Sequence, residues 1–258
     1  MIVILAAAAL AYAFPKGQPI DYNVNVSFEG FLPVFGGQDG TAEIALGLRV
    51  EGLGPDDKGR AQASSDLTEA KVKFQGETLP FTVDNVKGFF PKTTVSYEPS
   101  GKLAKTDAPD IQLPIRLPGL DVKRFPELTY LPVELPSVDI EVGKPWTFKR
   151  TIGGAEATYT VTPAVVTDDL ATLKVGVTQT ETTFENEALE LTKEEEAKYK
   201  VVTTLNGDGQ VLFNRKAGYA REVNVTVVAN GVETEIKSGA KKDRKLTTKL
   251  TVELKPVK

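Results

Sequence analysis

Most readable segments of this sequence alternate apolar and polar residues, with an apolar side chain at every second position. Successive side chains of a β-strand point to opposite faces, so this pattern predicts strands with one buried and one exposed face. The predicted strands lie around residues 22–28, 44–50, 70–74, 173–177, 199–205, 223–227 and 246–254. We therefore predict an all-β fold built from antiparallel sheets.

Clusters of glycine, asparagine, aspartate and proline separate these segments and indicate turns. Asn230-Gly231 is the strongest hairpin signal, because both residues tolerate a positive φ. The run at 206–209, Asn-Gly-Asp-Gly, is also predicted to be a β-turn. The basic run at 241–245 is predicted to be a solvated turn between two strands. Only Thr192 to Lys198 has helical character, since it begins with a capping-box pattern.

The first 13 residues have the pattern of a secretion signal. An apolar run ends in Ala11-Tyr12-Ala13, which has the small-x-small form that signal peptidase accepts. The run is much shorter than the roughly 20 residues of a membrane-spanning helix, so we expect no permanent membrane span. No Lys or Arg precedes it, which leaves open a truncated or misassigned start, or a buried first strand. The prediction is a bacterial periplasmic or secreted protein whose mature chain begins at Phe14.

A proline-rich segment divides the chain. Residues 109–145 hold seven of the 16 prolines, several of them in Leu-Pro pairs. Proline lacks a backbone N–H and fixes φ at about −65°, so this segment is predicted to be extended. We therefore predict two antiparallel β domains, each a sandwich or a half-open barrel, at 14–108 and 143–258. An extended strap at 109–142 joins them.

The strap is too apolar for a free linker, so its apolar side chains must be covered. The two domains that it joins would cover them most economically. The strap could instead line a surface for a ligand or a partner, because cations there stand beside apolar side chains and could meet a carboxylate or phosphate headgroup. The candidate residues for such binding are Arg116, Lys123, Arg124, Phe125 and Tyr130.

The composition removes most of the usual catalytic chemistry. The chain has no histidine and no cysteine. It therefore lacks a side chain that ordinarily titrates near neutral pH, a thiolate nucleophile and the commonest transition-metal ligands. We predict no catalytic residues, no metal site and no cofactor. The acidic pairs Asp56-Asp57 and Asp168-Asp169 could bind calcium or cleave a glycosidic bond, but adjacent carboxylates in tight turns are usually only solvated.

The charge balance argues against a nucleic-acid partner. The formal net charge is −4, and charged residues make up 26% of the chain. Binding to nucleic acid needs a basic surface that releases counterions from phosphate groups. The one basic cluster, at 241–245, is too small for that. We therefore expect no nucleic-acid partner.

The chain has no cysteine and so no disulfides. An exported chain of this kind must be stabilised by its apolar core alone.

Several motifs carry a resemblance to known proteins. They are the run from Tyr22 to Gly37, the segments 89–94 and 117–123, and Gly207-x-Gly209-x-x-x-Phe213 before Gly218. With them the chain resembles exported bacterial all-β proteins of an uncharacterised family, a domain of unknown function. That resemblance implies no activity and no catalytic residues. By architecture alone, the chain is also similar to the half-open barrels of periplasmic lipoprotein carriers, which hold acyl chains.

The sequence favours a non-enzymatic binding or structural module of the bacterial envelope. Its partner could be a lipid-like ligand, apolar or amphipathic, or another envelope protein. The alternative is a hydrolase that acts on a polysaccharide with carboxylates alone. A carrier needs an apolar cavity of a few hundred cubic ångströms. A glycosidase instead needs two carboxylates about 5 to 9.5 Å apart in a cleft.

Overall fold

The computed structural model describes residues 10–33, 36–87, 91–107, 133–152 and 154–254. Strands dominate these ranges, with one short helix, α1 (Val83–Val86), and a 3₁₀ turn at Glu194–Glu196. The strands within the described ranges are β1 (Ile20–Leu32), β2 (Gln38–Pro55), β3 (Ala61–Phe74), β4 (Glu77–Thr78), β5 (Thr93–Tyr97), β6 (Leu103–Thr106), β7 (Trp146–Ile152), β8 (Ala155–Val166), β9 (Leu170–Glu185), β10 (Tyr199–Asn214), β11 (Tyr219–Glu235) and β12 (Lys241–Leu254).

All twelve strands belong to one open antiparallel sheet. Their order is β6-β5-β3-β2-β1-β12-β11-β10-β9-β8-β7, with β4 beside β3. The first strand pairs with the last, from Tyr22 opposite Leu254 to Gly30 opposite Leu246. Strands from both halves of the chain therefore share a single sheet. The predicted all-β antiparallel class is confirmed, whereas a division into two β domains is not shown.

The sheet has one apolar face and one polar face. On β1, Tyr22, Val24 and Val26 are each 1% exposed, as expected from the period-2 pattern. Buried side chains of β1–β3 and of β8–β12 form one core cluster on the same face. We call this face the inner face. The opposite face carries the alternating polar residues, such as Asn23 and Asn25 of β1.

Three segments that were predicted as turns are parts of strands. β11 continues through Asn230-Gly231, β10 continues through 206–209, and the basic run 241–245 begins β12. These turn predictions are wrong. Gly207 serves close packing: a Cβ there would lie 2.8 Å from Val177 Cγ1 and 2.9 Å from a Val227 methyl group. Glycine inside a strand is typical of such close approach.

The predicted helical turn is present but short. Within Thr192 to Lys198, only Glu194–Glu196 forms a 3₁₀ turn, and no side chain caps it. A capping box instead begins α1, where the Thr82 hydroxyl accepts from the Asn85 backbone N–H and Asn85 Oδ1 accepts from the Thr82 N–H. The sequence pattern misses it because Asn replaces the usual Glu or Gln. No helix in the described ranges is long and apolar enough to cross a membrane.

The end of the predicted leader packs into the core. The Tyr12 ring meets the Phe213 ring edge to face at a centroid distance of 5.1 Å. Its hydroxyl donates to the carbonyl oxygen of Val133 at 3.0 Å. In the intact chain, residues 10–14 thus bury side chains as a first strand would, although they form no strand. The side chains buried in this segment are those of Leu10, Tyr12 and Phe14.

The last part of the predicted strap also packs against the core. Val133, Leu135 and Ile140 are buried. The Leu135 N–H donates to the carbonyl oxygen of Ser100 at 2.7 Å. Residues 133–140 therefore lie as a packed strap would, while 109–132 are outside the described residues.

Candidate functional site

The predicted binding residues of the strap, Arg116, Lys123, Arg124, Phe125 and Tyr130, all lie outside the described residues. Their role stays a prediction. The described inner face brings a different polar set together, at the end of the sheet where β1 joins β2. We call this site the Arg244 cleft. Its lining includes Phe31, Glu181, Glu185, Thr203, Gly231 and Arg244.

One row of residues crosses four neighbouring strands at the cleft. Arg244 of β12 is opposite Gly231 of β11, Gly231 is opposite Thr203 of β10, and Thr203 is opposite Glu181 of β9. Residues opposite each other in a sheet share a face. The row below it, toward the core, begins with Leu246 opposite Ala229. The cleft therefore lies where the apolar inner face ends.

Arg244 crosses the inner face and connects separate strands. Its Nη1 donates to Glu185 Oε2 at 2.7 Å, and its Nη2 donates to Glu233 Oε2. Glu185 ends β9, so the bond passes over β11 and β10, which lie between β9 and β12. The Arg244 side chain is only 7% exposed. Charge-assisted hydrogen bonds of this kind are among the stronger ones in proteins.

Phe31 forms the wall of the cleft that faces the Arg244 guanidinium. The Arg244 guanidinium carbon lies 4.5 Å from the centroid of the Phe31 ring, which is a cation–π distance. The β1–β2 connection then packs against the loop that follows β9. A Cβ on Gly37, whose φ is +70°, would lie 2.4 Å from Leu189 Cδ1. The two loops therefore approach each other closely beside the cleft.

The cleft is small, and both polar and apolar side chains line it. Its empty volume is about 480 Å³ with the open mouth included, but the room for the centres of water molecules is about 50 Å³. This is well below the few hundred cubic ångströms that an acyl chain requires. The cleft as it stands is therefore too small to enclose an acyl chain. Its apolar lining consists of Phe31, Pro33, Val201, Ala229 and Leu246.

Carboxylates and a guanidinium meet in the cleft. Glu185 and Glu233 are bonded to the Arg244 guanidinium, and Glu181 is part of the cleft lining. Lys242 and Lys245 are near but exposed, so water screens their charge. In addition, Arg244 Nε is buried and has no acceptor among the described residues. The cleft therefore combines ion pairs with a buried Arg244 donor that has no acceptor among the described residues.

A second buried cation, Arg150, lies on β7, the last strand of the sheet. Arg150 Nε donates to Glu134 Oε1 at 2.9 Å, and the Arg150 side chain is 3% exposed. The guanidinium lies over the stacked rings of Phe148 and Tyr159, at 5.0 and 5.5 Å. Burial raises the pKa of the nearby Tyr12 hydroxyl well above its ordinary value. This cluster fixes residue 134 of the strap to β7 and lines no described cleft.

The predicted acidic pairs belong to turns. Asp56 accepts from the Arg60 side chain and from the backbone N–H groups of Lys58 and Arg60, and these bonds lower its pKa to about 2. Asp169 forms an ion pair with Lys216. Within the described ranges, no group of three or more acidic side chains is arranged to hold a metal ion. Asp56 and Asp169 therefore bind neighbouring loop residues.

Sequence reasoning missed Gly231 and Arg244, although the signal was present. Continuing the period-2 pattern of β11 from Val223 through Val227 places residue 231 on the inner face. Continuing that of β12 backward from Leu246 places residue 244 on the same face. The Asn-Gly pair and the basic run were interpreted as turns, and that interpretation ended both strands too early.

No protein-family model and no curated protein matches the chain. The chain is similar to a solved structure described as lipid–protein interactions in lipovitellin, with 14% sequence identity and a TM-score of 0.53. The similarity covers 95% of this chain but only 26% of that chain. At this level of identity it shows the fold alone: a large antiparallel sheet of the kind found in lipovitellin.

Proposed function

We propose that the protein is a non-enzymatic binding module that holds an apolar or amphipathic ligand. The observation that carries this proposal is the one-sided sheet, whose apolar inner face ends in a cleft with an apolar wall and a polar wall. An amphipathic ligand, with a polar end and an apolar part, matches such a surface. The similarity to a lipovitellin sheet supports the proposal, because that structure is described by its interactions with lipid.

The amphipathic case gives each wall a role. The polar end of the ligand would lie beside Arg244 and Thr203, where donors and acceptors are already buried. Its apolar part would contact Phe31 and Pro33 in the apolar lining of the cleft. Removal of apolar surface from water would supply most of the binding free energy, at roughly 25 cal/mol for each square ångström. Room for a longer apolar chain would require the walls to separate.

The alternative hydrolase finds less support in the cleft. In a glycosidase, two carboxyl groups face each other across the scissile bond. Here a guanidinium lies between Glu185 and Glu233 and is bonded to both. This is the arrangement of an ion-pair network that stabilises a structure. We therefore place the carboxylates in the binding site and assign them no catalytic role.

Export to the bacterial envelope is part of the proposal. It rests on the apolar leader and its Ala11-Tyr12-Ala13 site. Within the envelope, the ligand could be a free lipid-like molecule or the apolar surface of another envelope protein. Either would contact the same apolar wall of the cleft.

A neutral fluorescent probe, N-phenyl-1-naphthylamine, tests this function. We expect saturable binding to the intact protein, and at least about tenfold weaker binding to Phe31→Leu, which corresponds to about 1.4 kcal/mol. Phe81→Leu is the matched control, since Phe81 is 46% exposed and is not part of the cleft lining. Fluorescence titration measures both affinities. Absence of saturable binding, or equal losses in the two variants, would contradict the proposal.

A further inference from the structure

We propose that the groove that holds residues 10–13 in the intact chain becomes, after export and cleavage, a docking site for an extended apolar segment of another envelope protein. The segment would carry an aromatic side chain where this chain has Tyr12. This inference rests on the proposed export, because cleavage after Ala13 empties the groove. We call the site the Tyr12 groove, and the residues in it that contact the bound segment are Pro99, Gly101, Val133, Phe213 and Gly218.

The Tyr12 groove binds the main chain of an extended segment. The Tyr12 N–H donates to the carbonyl oxygen of Pro99 at 2.8 Å, and the Ala13 N–H donates to that of Gly218 at 2.7 Å. Alternate side chains of the segment are buried, those of Leu10 and Tyr12, while the alanines between them are exposed. Extended peptides recognised in this way gain affinity from main-chain hydrogen bonds and specificity from pockets for alternate side chains. The groove therefore fits a polypeptide rather than an acyl chain, which has no N–H donors.

One pocket of the groove is shaped for an aromatic ring. The Tyr12 ring meets the Phe213 ring edge to face at 5.1 Å, and its hydroxyl donates to the carbonyl oxygen of Val133 at 3.0 Å. A Cβ on Gly101 would lie 2.2 Å from Tyr12 Cε2, so the ring occupies space that any side chain at position 101 would fill. The pocket therefore exists only because residue 101 is glycine.

Two further glycines leave room for the backbone of the segment. A Cβ on Gly218 would lie 2.5 Å from the Ala13 nitrogen, and a Cβ on Gly52 would lie 2.3 Å from the Phe14 carbonyl oxygen. Glycine in or beside a strand is typical of such close approach by another backbone. Gly52, Gly101 and Gly218 come from separate parts of the chain, and all three accommodate the same segment.

Cleavage after Ala13 would leave the groove without its occupant. The carbonyl oxygens of Pro99, Val133 and Gly218 would lose the donors that Tyr12 and Ala13 supply. The Phe213 side chain, which is fully buried in the intact chain, would lose its contact with the Tyr12 ring. Apolar surface exposed to water is unfavourable. A partner segment with N–H donors and an aromatic ring would restore both kinds of contact.

A short peptide tests this docking site. Full-length protein is expressed in a bacterium, and the processed form is recovered from the envelope. The probe has the sequence of residues 10–13, Leu-Ala-Tyr-Ala, with a fluorescent dye at its N-terminus and an amide at its C-terminus. We expect saturable binding to the processed protein by fluorescence anisotropy. Uncut full-length protein from cell-free synthesis is the control and should not bind the peptide, because its own residues 10–13 fill the groove.

Changes within the peptide identify the contacts that hold it. Tyr12→Ala in the peptide should weaken binding at least about tenfold, which corresponds to about 1.4 kcal/mol, because the ring contact with Phe213 is lost. Tyr12→Phe keeps the ring and loses the hydrogen bond to Val133, so it should weaken binding about fivefold, the equivalent of about 1 kcal/mol. N-phenyl-1-naphthylamine should not displace the peptide, because the probe is expected at the Arg244 cleft.

Two glycine variants of the processed protein locate the peptide. Gly101 and Gly59 lie in similar turns with φ of +83° and +75°, where their N–H groups donate to Glu98 and Asp56. Alanine is strained at both positions for the same backbone reason. Only Gly101→Ala also fills the aromatic pocket, since a Cβ on Gly59 meets nothing within 4 Å. Gly101→Ala should therefore weaken peptide binding at least about tenfold, and Gly59→Ala should leave it unchanged.

Several results would overturn the docking site. They are recovery of uncut protein from the envelope, a processed chain that binds no peptide or stays unfolded with it, equal binding of the Tyr12→Ala peptide, and equal effects of the two glycine variants. Displacement of the peptide by N-phenyl-1-naphthylamine would show an unselective apolar slot and would overturn it as well. Loss of probe binding with peptide binding kept would overturn the binding function at the Arg244 cleft and leave the docking site in place.

Discussion

Replacement of Arg244 by methionine is expected to destabilise the protein by roughly 3–5 kcal/mol, the usual cost of breaking a buried ion pair. The Arg244 side chain is 7% exposed, and its removal leaves the carboxylates of Glu185 and Glu233 buried without their cation. Methionine keeps an unbranched apolar stem and removes the guanidinium, so the loss reports the two ion pairs together with the cation–π contact to Phe31. Urea unfolding of the variant and of the wild type measures the difference.

Two further variants test whether this loss of stability comes from the buried charges. The triple variant Arg244→Met, Glu185→Gln, Glu233→Gln should recover most of the lost stability, since no uncompensated charge then remains from the network. Arg49→Met breaks an exposed pair, in which Arg49 Nε lies 2.9 Å from Asp21 Oδ1 and the Arg49 side chain is 55% exposed. It should change stability little, because exposed pairs contribute little. A similar small loss in Arg244→Met would refute the role given to Arg244.

Truncation of Tyr12 to alanine is expected to cost about 3–5 kcal/mol, as for other large aromatic side chains in a core. The Tyr12 ring packs against Phe213, and its hydroxyl donates to Val133. Tyr12→Phe keeps the ring and removes only this hydrogen bond, so it should cost about 1 kcal/mol. Denaturant unfolding of the two full-length variants gives both values.

The same position bears on the proposed export. Cleavage after Ala13 would leave a mature chain from Phe14, without the Tyr12 side chain that fills this part of the core. N-terminal sequencing of protein recovered from the envelope identifies the first residue of the folded form. If Tyr12→Ala were as stable as the wild type, the packing of this segment would not matter to the fold.

The alternation of apolar and polar residues predicts the strands and the buried face well. Along β1, every second residue from Tyr22 to Phe28 is buried, because the pleat of a strand places alternate side chains on the same face. The same alternation could not predict how the two halves of the chain pair with each other. The pairing of β1 with β12 joins residues more than 200 positions apart, and no local pattern specifies which edges of two apolar sheets meet.

The candidate site was harder to predict for a physical reason. Asn230-Gly231 favours a hairpin in isolation, but here the ladder with β10 and β12 continues through it. Burial of the row beneath keeps the strand extended, and tertiary packing commonly overrides local propensity in this way. Arg244 was unexpected for the same reason. A charged residue is rarely buried unless partners are present, and its partners Glu185 and Glu233 lie on other strands.

The pairing of β1 with β12 is the central claim, because Phe31 comes from β1 and Arg244 from β12, and the cleft exists only if the two strands are adjacent. The chain has no cysteine, so a disulfide introduced between Asn25→Cys and Thr251→Cys is unambiguous. These residues are opposite each other in the ladder, at a spacing within the range that disulfides bridge.

Mild oxidation of the folded double variant, followed by mass spectrometry of its peptides, measures this pairing directly. The account predicts an intramolecular bridge between positions 25 and 251. It predicts none between Asn25→Cys and Lys174→Cys, since β9 lies four strands from β1. A folded protein in which 25 and 251 fail to bridge, or in which 25 and 174 bridge equally fast, would contradict the single sheet and the cleft built on it.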